Sequence, residues 1–149
     1  MIIKEVETKE ELNKCDEFLN KLIQDEKKYN DNINDNNKIE NYYEKVLNDN
    51  NKLFIALDKN VVGYIFIKIS DPNKNAEIYK EAFIDALYVE EEYRNKGIAT
   101  SLIGKAKDYA KSMGAKKISI SVISVNETAL KLYYKVGFKD FSYRLNQEL

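Results

Sequence analysis

A mixed α/β fold with a central, mostly antiparallel sheet and helices on both faces is predicted by three features of this sequence. Two β-rich runs joined by a short polar turn form a hairpin in the first half. Two strand–helix–strand steps follow in the second, and apolar residues recur at helical spacing between the strands. The predicted order is β α α β β β α β α β, within one domain spanning residues 1–149. With 44% hydrophobic and 33% charged residues, the chain is too apolar for a disordered polymer and should fold.

Ile2 to Val6 alternates apolar and polar residues and reads as a strand, and Thr8 followed by Glu11 has the form of a capping box. Leu12, Cys15, Leu19 and Leu22 then share one helix face, which makes Cys15 a core residue. The polar stretch Asn30 to Asn37 interrupts the pattern before a second helix carrying Ile39, Tyr42, Tyr43, Val46 and Leu47. Leu53–Leu57 and Val61–Ile69, joined by Asp58, Lys59 and Asn60, make the hairpin, and Pro72 with its Asn/Lys neighbours marks a loop. Ala82–Val89 is a further strand leading into a helix from about Gly97 to Met113, stopped by Gly114. Lys117–Val125 is β-branched and alternating. Asn126 caps a helix running to about Val136, Gly137 ends it, and Phe138–Leu145 is the last predicted strand.

Composition narrows the chemistry. The first residues have neither the basic cap nor the apolar run of a secretion signal, and no run approaches the roughly 18 apolar residues that cross a bilayer, so a cytoplasmic protein is expected. Cys15 is the only cysteine and histidine is absent, so no internal disulfide forms, the usual zinc and iron ligands are missing, and no metal is expected. A general base near neutral pH must then be a carboxylate, an amine, a tyrosine or a water relay. Residues 1–50 hold 8 Lys against 13 Asp or Glu, a net −5, and the remainder is +4. That asymmetry suits a cationic substrate near the first third and an anionic cofactor elsewhere, and it equally describes a solvated polar surface. No basic stripe for nucleic acid stands out.

Leu87 to Thr100 places Arg94-x-x-Gly97-x-Ala99 where a buried strand becomes a helix. A helix start offers unpaired N–H groups and the positive end of the helix dipole, which together bind phosphate. Gly97 and the small Ala99 let the backbone approach a ligand, and Arg94 and Lys96 add positive charge. The pattern is neither a dinucleotide-fold glycine fingerprint nor a Walker loop, and by itself it also describes a plain helix cap. A second constellation, Asn126-x-x-Ala129-x-x-Leu132-Tyr133-x-x-x-Gly137-Phe138, begins 32 residues after Arg94. Asn126 and Tyr133 share a helix face about 10.5 Å apart along the axis, a span that fits two points on an extended ligand. Each also has a purely structural use, Asn126 as an N-cap and Tyr133 as a core aromatic.

Taken together, and in this order, the two segments resemble the signatures of the GNAT acetyltransferases. Val89, Arg94, Gly97 and Ala99 match the acetyl-CoA pyrophosphate loop, and every named position from Asn126 to Phe138 matches the second signature. The resemblance covers residues 53–145 well and the first 50 in general layout. It implies a GNAT-like acyl-CoA N-acyltransferase fold with acetyl-CoA as co-substrate. Its pyrophosphate would be held by backbone N–H groups of Asn95, Lys96, Gly97, Ile98, Ala99 and Thr100, with Arg94 in the same loop. Main-chain groups of Leu87 and Val89 would pair with the pantetheine arm, and Asn126 would contact it too. Tyr133 would donate a proton to the departing thiolate. Glu90, Glu91 and Glu92 read as a solvated turn beside the loop.

The resemblance also implies direct acetyl transfer to an amine in a ternary complex. The base is the open part. Asp85 breaks the apolar rule of its strand, which fits a base as well as a buried ion pair or a bulge, and Glu81 is the alternate. A small cationic amine is the favoured acceptor, with the acidic first third as one wall. Protein N-terminal or lysine acetylation, and a non-catalytic acyl-CoA sensing module, are the alternatives. The resemblance further allows a homodimer through the last strands.

Overall fold

The computed structural model describes residues 1–149 and shows one five-stranded sheet with strand order β1-β2-β3-β4-β5. Its strands are β1 (Ile2–Glu5), β2 (Asn51–Asp58), β3 (Asn60–Ser70), β4 (Glu81–Val89) and β5 (Lys117–Ile120). The first four pair antiparallel and β5 runs parallel to β4. Helix α3 (Ile98–Ser112) is the crossover that a parallel pair requires.

Helix α1 (Lys9–Asp25) begins with the expected capping box: Glu11 N–H donates to Thr8 Oγ1 at 3.1 Å and Thr8 N–H donates to Glu11 Oε2 at 3.1 Å. The second helix is shorter than its apolar spacing suggests. Only Tyr42–Val46 (α2) is helical, and Ile39 lies outside it. Two contacts with α1 decide this. The Asn20 side chain accepts from Ile39 N–H at 2.8 Å and donates to Ile39 C=O at 2.9 Å, holding that residue outside any helix. Asp16 Oδ1 accepts from the amides of Tyr42 and Tyr43 at 3.2 and 3.1 Å, setting the helix start there.

Two apolar clusters fill the two faces of the sheet. Phe54, Ile65, Ile67, Ala82 and Ile84 pack under α3 residues such as Leu102, Ile103 and Ala106. Cys15 and Phe18 of α1 and Tyr43 of α2 pack with Ile55, Tyr64, Phe66, Ala86 and Tyr88 on the other face. In β4 the face changes part way along. Phe66 pairs with Ala86 but Ile67 pairs with Ile84, so Asp85 is the extra residue of a β-bulge. Ala82 and Ile84 therefore point to α3 while Ala86 and Tyr88 point to α1.

Helix α4 (Glu127–Lys135) ends at Gly137, whose φ of 106° lets Phe138 N–H turn back to Tyr133 C=O at 2.9 Å. The second strand–helix–strand step is not completed. β5 stops at Ile120, short of Val125, and Phe138–Leu145 forms no strand. A strand needs ladder partners for its backbone groups, and this segment pairs with no strand, although Lys117 Nζ of β5 lies 5.8 Å from the Phe141 ring. Asp140 instead accepts from Tyr134 Oη at 2.5 Å and Tyr143 Oη at 3.1 Å, tying the segment to α4.

Candidate active site

β5 pairs with β4 only over Glu81–Ile84. Beyond that, Asp85–Val89 has β3 along one edge and no strand along the other. Glu90 N–H donates to Val62 C=O at 2.8 Å, so strand alternation turns the main-chain groups of Leu87 and Val89 toward the open edge. These are the two residues expected to pair with an extended ligand arm; no strand lies along the edge they face, and of their main-chain groups Val89 C=O already accepts from Arg94 Nε at 2.7 Å.

β4 feeds a single 3₁₀ turn, Glu91–Tyr93, and then α3. Asn95 (φ 61°) and Gly97 (φ 82°) are both left-handed, a conformation that glycine adopts without strain and asparagine tolerates. This bend leaves a run of amides without acceptors. The first bond of α3 is Ser101 N–H to Gly97 C=O at 3.0 Å, and the N–H groups of Asn95, Lys96, Gly97, Ile98, Ala99 and Thr100 meet no protein acceptor. With the helix dipole behind them, they form a row of donors suited to a diphosphate.

The cationic side chains of the loop are otherwise engaged. Arg94 Nε donates to Val89 C=O at 2.7 Å, its Nη2 meets Asp25 Oδ2 at 3.1 Å, and the guanidinium lies 5.3 Å from the Tyr88 ring centroid. Lys96 Nζ donates to Glu92 C=O at 3.1 Å. Glu91 and Glu92 are exposed, as a solvated turn should be, whereas Glu90 is half-buried and paired with Lys21 Nζ at 2.9 Å.

Asn126 caps α4, its Oδ1 accepting from Ala129 N–H at 3.2 Å. Tyr133 is half-buried against the α3-side cluster, edge-on to Phe138 at 6.0 Å between centroids. Burial raises its phenol above the ordinary tyrosine range, and its hydroxyl makes no hydrogen bond within the protein. It therefore stays protonated well past neutrality, as a proton donor must. Tyr134 is exposed on another side of the helix.

Of the two structural alternatives for Asp85, the bulge is present and the ion pair is not a buried one. It is the bulge residue, and its carboxylate lies 3.5 Å from Lys68 Nζ on the face covered by α1 and α2. A third of the side chain stays exposed, so the pair is open to solvent. Glu81 lies about 13 Å further back along the strand, where β5 still closes the edge. The structure thus separates the two candidate bases and leaves only Asp85 at the start of the open segment. Beneath it sits a pair that the sequence did not announce, Tyr43 Oη and Tyr64 Oη, 2.7 Å apart and buried. Burial raises both phenols, with a smaller contribution from the charge of Asp85. Lys68, the one charge inside a run of β3 apolars, carried the sequence signal that could have marked it. Cys15 is buried with its thiol pushed up by desolvation, a core residue as expected. No three His, Cys, Asp or Glu side chains group to hold a metal ion, and no helix is long and apolar enough to cross a membrane.

The acetyltransferase (GNAT) family model matches residues 15–138. A Bacillus subtilis (strain 168) protein described as an uncharacterized N-acetyltransferase, YycN, is 33% identical over 92 residues, which cover 62% of this chain and 56% of that protein. The chain spans about half the length of the curated relatives it matches first. Among solved structures, the tetramutant of BH1408 from Bacillus halodurans superposes with a TM-score of 0.82 at 20% identity, covering 100% of both chains. The aminoglycoside acetyltransferase meta-AAC0020, from an uncultured soil metagenomic sample and solved in complex with sisomicin, gives a TM-score of 0.77 at 18% identity, covering 99% of this chain and 95% of that one. At those identities the structural likenesses speak for the fold.

Proposed function

This chain belongs to the acetyltransferase (GNAT) family, and on that premise we propose that it transfers an acetyl group from acetyl-CoA directly to a primary amine bound alongside it. The observation that carries this reading is the row of acceptor-free amides from Asn95 to Thr100, opening directly off the free edge of β4. The amides hold the diphosphate, main-chain groups of Leu87 and Val89 hold the pantetheine arm as a strand would, and Asn126 at the head of α4 adds a contact. The neutral amine attacks the thioester carbonyl, the C–N bond forms and the C–S bond breaks. Tyr133 gives its phenolic proton to the sulfur, and the nitrogen's proton passes to Asp85 directly or through water.

A small cationic amine is the favoured acceptor, supported by the acidic first third of the chain and by the aminoglycoside-bound state of one fold neighbour. Protein N-termini and lysines are the competing acceptors within the same chemistry. Calorimetry with acetyl-CoA, followed by thiol release across a panel of polyamines, aminoglycosides and peptides, tests the reading. Absence of acetyl-CoA binding refutes it, and tight binding without thiol release on any amine favours an acyl-CoA sensing module. A cytoplasmic homodimer completes the proposal. Phe141, Tyr143 and Leu145 are 88%, 79% and 89% exposed, Lys117 Nζ of β5 lies 5.8 Å from the Phe141 ring, and no strand covers the outer edge of β5. Light scattering at micromolar concentration reads the mass directly.

A further inference from the structure

Helix α1 and the segment that leads into the diphosphate loop meet in three successive rungs. The Phe18 ring packs on Tyr88 with centroids 5.1 Å apart, Lys21 Nζ pairs with Glu90 Oε1 at 2.9 Å, and Asp25 Oδ2 pairs with Arg94 Nη2 at 3.1 Å. On α1 these residues follow helical spacing, three and then four residues apart, so a single face of the helix carries all three. The last rung is the most connected. Asp25 closes α1, while Arg94 also donates through Nε to Val89 C=O at 2.7 Å and covers the Tyr88 ring. The guanidinium thus spans the bend from the end of β4 to the loop, with its charge met by α1.

From this we infer that Asp25 and Arg94 act as a positioning pair that pre-shapes the diphosphate loop, and that Arg94 serves the cofactor through the backbone it holds and not as a phosphate ligand. Resting on the reading of the loop as an acetyl-CoA site, the inference adds that the acidic helix of the acceptor side and the cofactor loop move as one body. Electrostatics alone predicts the opposite sign. Asp25 is an anion on the same side of the molecule as a site for a diphosphate, so removing its charge should tighten binding or leave it unchanged if it only repels, or if it merely holds Arg94 away from the phosphates. A positioning role predicts weaker binding, because the amides lose their fixed geometry.

The test is a double-mutant cycle on acetyl-CoA affinity by calorimetry, using Asp25→Asn, Arg94→Gln and the combination. Each single substitution should weaken binding about fivefold, roughly 1 kcal/mol, and the double variant should be no weaker than the worse single one. Steady-state thiol release should show KM for acetyl-CoA rising with kcat held. Since a phosphate ligand would contribute a salt-screened charge, the salt dependence of affinity should stay the same in Arg94→Gln. Thermal melts of the variants separate loop effects from loss of fold. Tighter or unchanged binding in Asp25→Asn, additive losses in the double variant, or a flattened salt dependence in Arg94→Gln would each overturn the inference while leaving the acetyl-CoA reading intact. Failure of the unsubstituted protein to bind acetyl-CoA would remove both.

Discussion

Replacing Tyr133 with Phe isolates one atom of the proposed chemistry. The hydroxyl has no protein partner, and the ring packs edge-on to Phe138 and against the α3-side cluster, contacts that Phe keeps. Its loss should therefore change stability by less than about 0.5 kcal/mol. The catalytic effect should be much larger. General acids contribute about 10² to 10⁴ in rate, but a thiolate, whose conjugate acid is stronger than a phenol, is a fair leaving group without help. Burial also raises the Tyr133 phenol, so full proton transfer to the thiolate stays uphill even once the C–S bond has broken. Both points favour the lower end, about 100-fold in kcat, equal to about 2.7 kcal/mol of transition-state stabilisation. Single-turnover thiol release should show that loss with acetyl-CoA affinity, read by calorimetry, unchanged within a factor of about two. An unchanged rate would remove Tyr133 from the chemistry. Parallel loss of affinity and rate would make it a wall of the cofactor site.

Asp85→Asn should lower kcat by about 10²-fold with acetyl-CoA affinity unaltered, and should shift stability little because its pair with Lys68 is partly solvated; retained turnover would return the base to a water relay. Gly97→Val places a β-branched residue at a φ of 82° with no neighbour in the way, so the cost is backbone strain alone, about 1 to 2 kcal/mol. Urea unfolding should read that loss, and calorimetry should show about tenfold weaker acetyl-CoA binding. The Tyr43–Tyr64 pair sets an alkaline limit, since burial raises both phenols in the folded state. Keeping them neutral costs nothing below the unfolded pKa near 10, and above it the unfolded chain ionises while the fold cannot. Stability should then fall by up to about 2.7 kcal/mol per pH unit. The Tyr43→Phe, Tyr64→Phe double variant should flatten that limb in urea titrations at pH 10 to 11, and an equally steep limb would place its origin elsewhere.

The features legible in the sequence were those fixed within a few residues. The Thr8–Glu11 capping box, the Asn126 cap and the left-handed Gly97 each state a backbone geometry through one side chain or its absence. The row of free amides follows from that local geometry, and so the loop could be placed before the fold was known. Elements that depend on a partner were read less well. Ile39 fits a helical stripe, yet Asn20, 19 residues earlier, takes both its backbone groups. Phe138–Leu145 has strand composition yet pairs with no strand, and composition does not encode pairing. The pairing of Asp25 with Arg94 and of Tyr43 with Tyr64 joins residues 69 and 21 positions apart, a relation that periodicity does not encode.

Asp85 shapes the strand on which the candidate site is built. Were β4 regular, Ala82, Ile84, Ala86 and Tyr88 would all face one side of the sheet, and Tyr88 would be buried under α3, far from Phe18 and Arg94. The bulge at Asp85 inverts the alternation, so that Tyr88 joins the α1 cluster and Leu87 turns its side chain to the α3 side. A bulge also bends and twists its strand, and it lies one residue beyond the last pairing of β4 with β5. The same inserted residue therefore marks where β5 leaves the ladder, supplies the carboxylate at the head of the opened edge, and places the ring on which Arg94 rests. This accounts for a charge in the middle of an apolar strand: at the bulge it reaches Lys68 and solvent instead of the core.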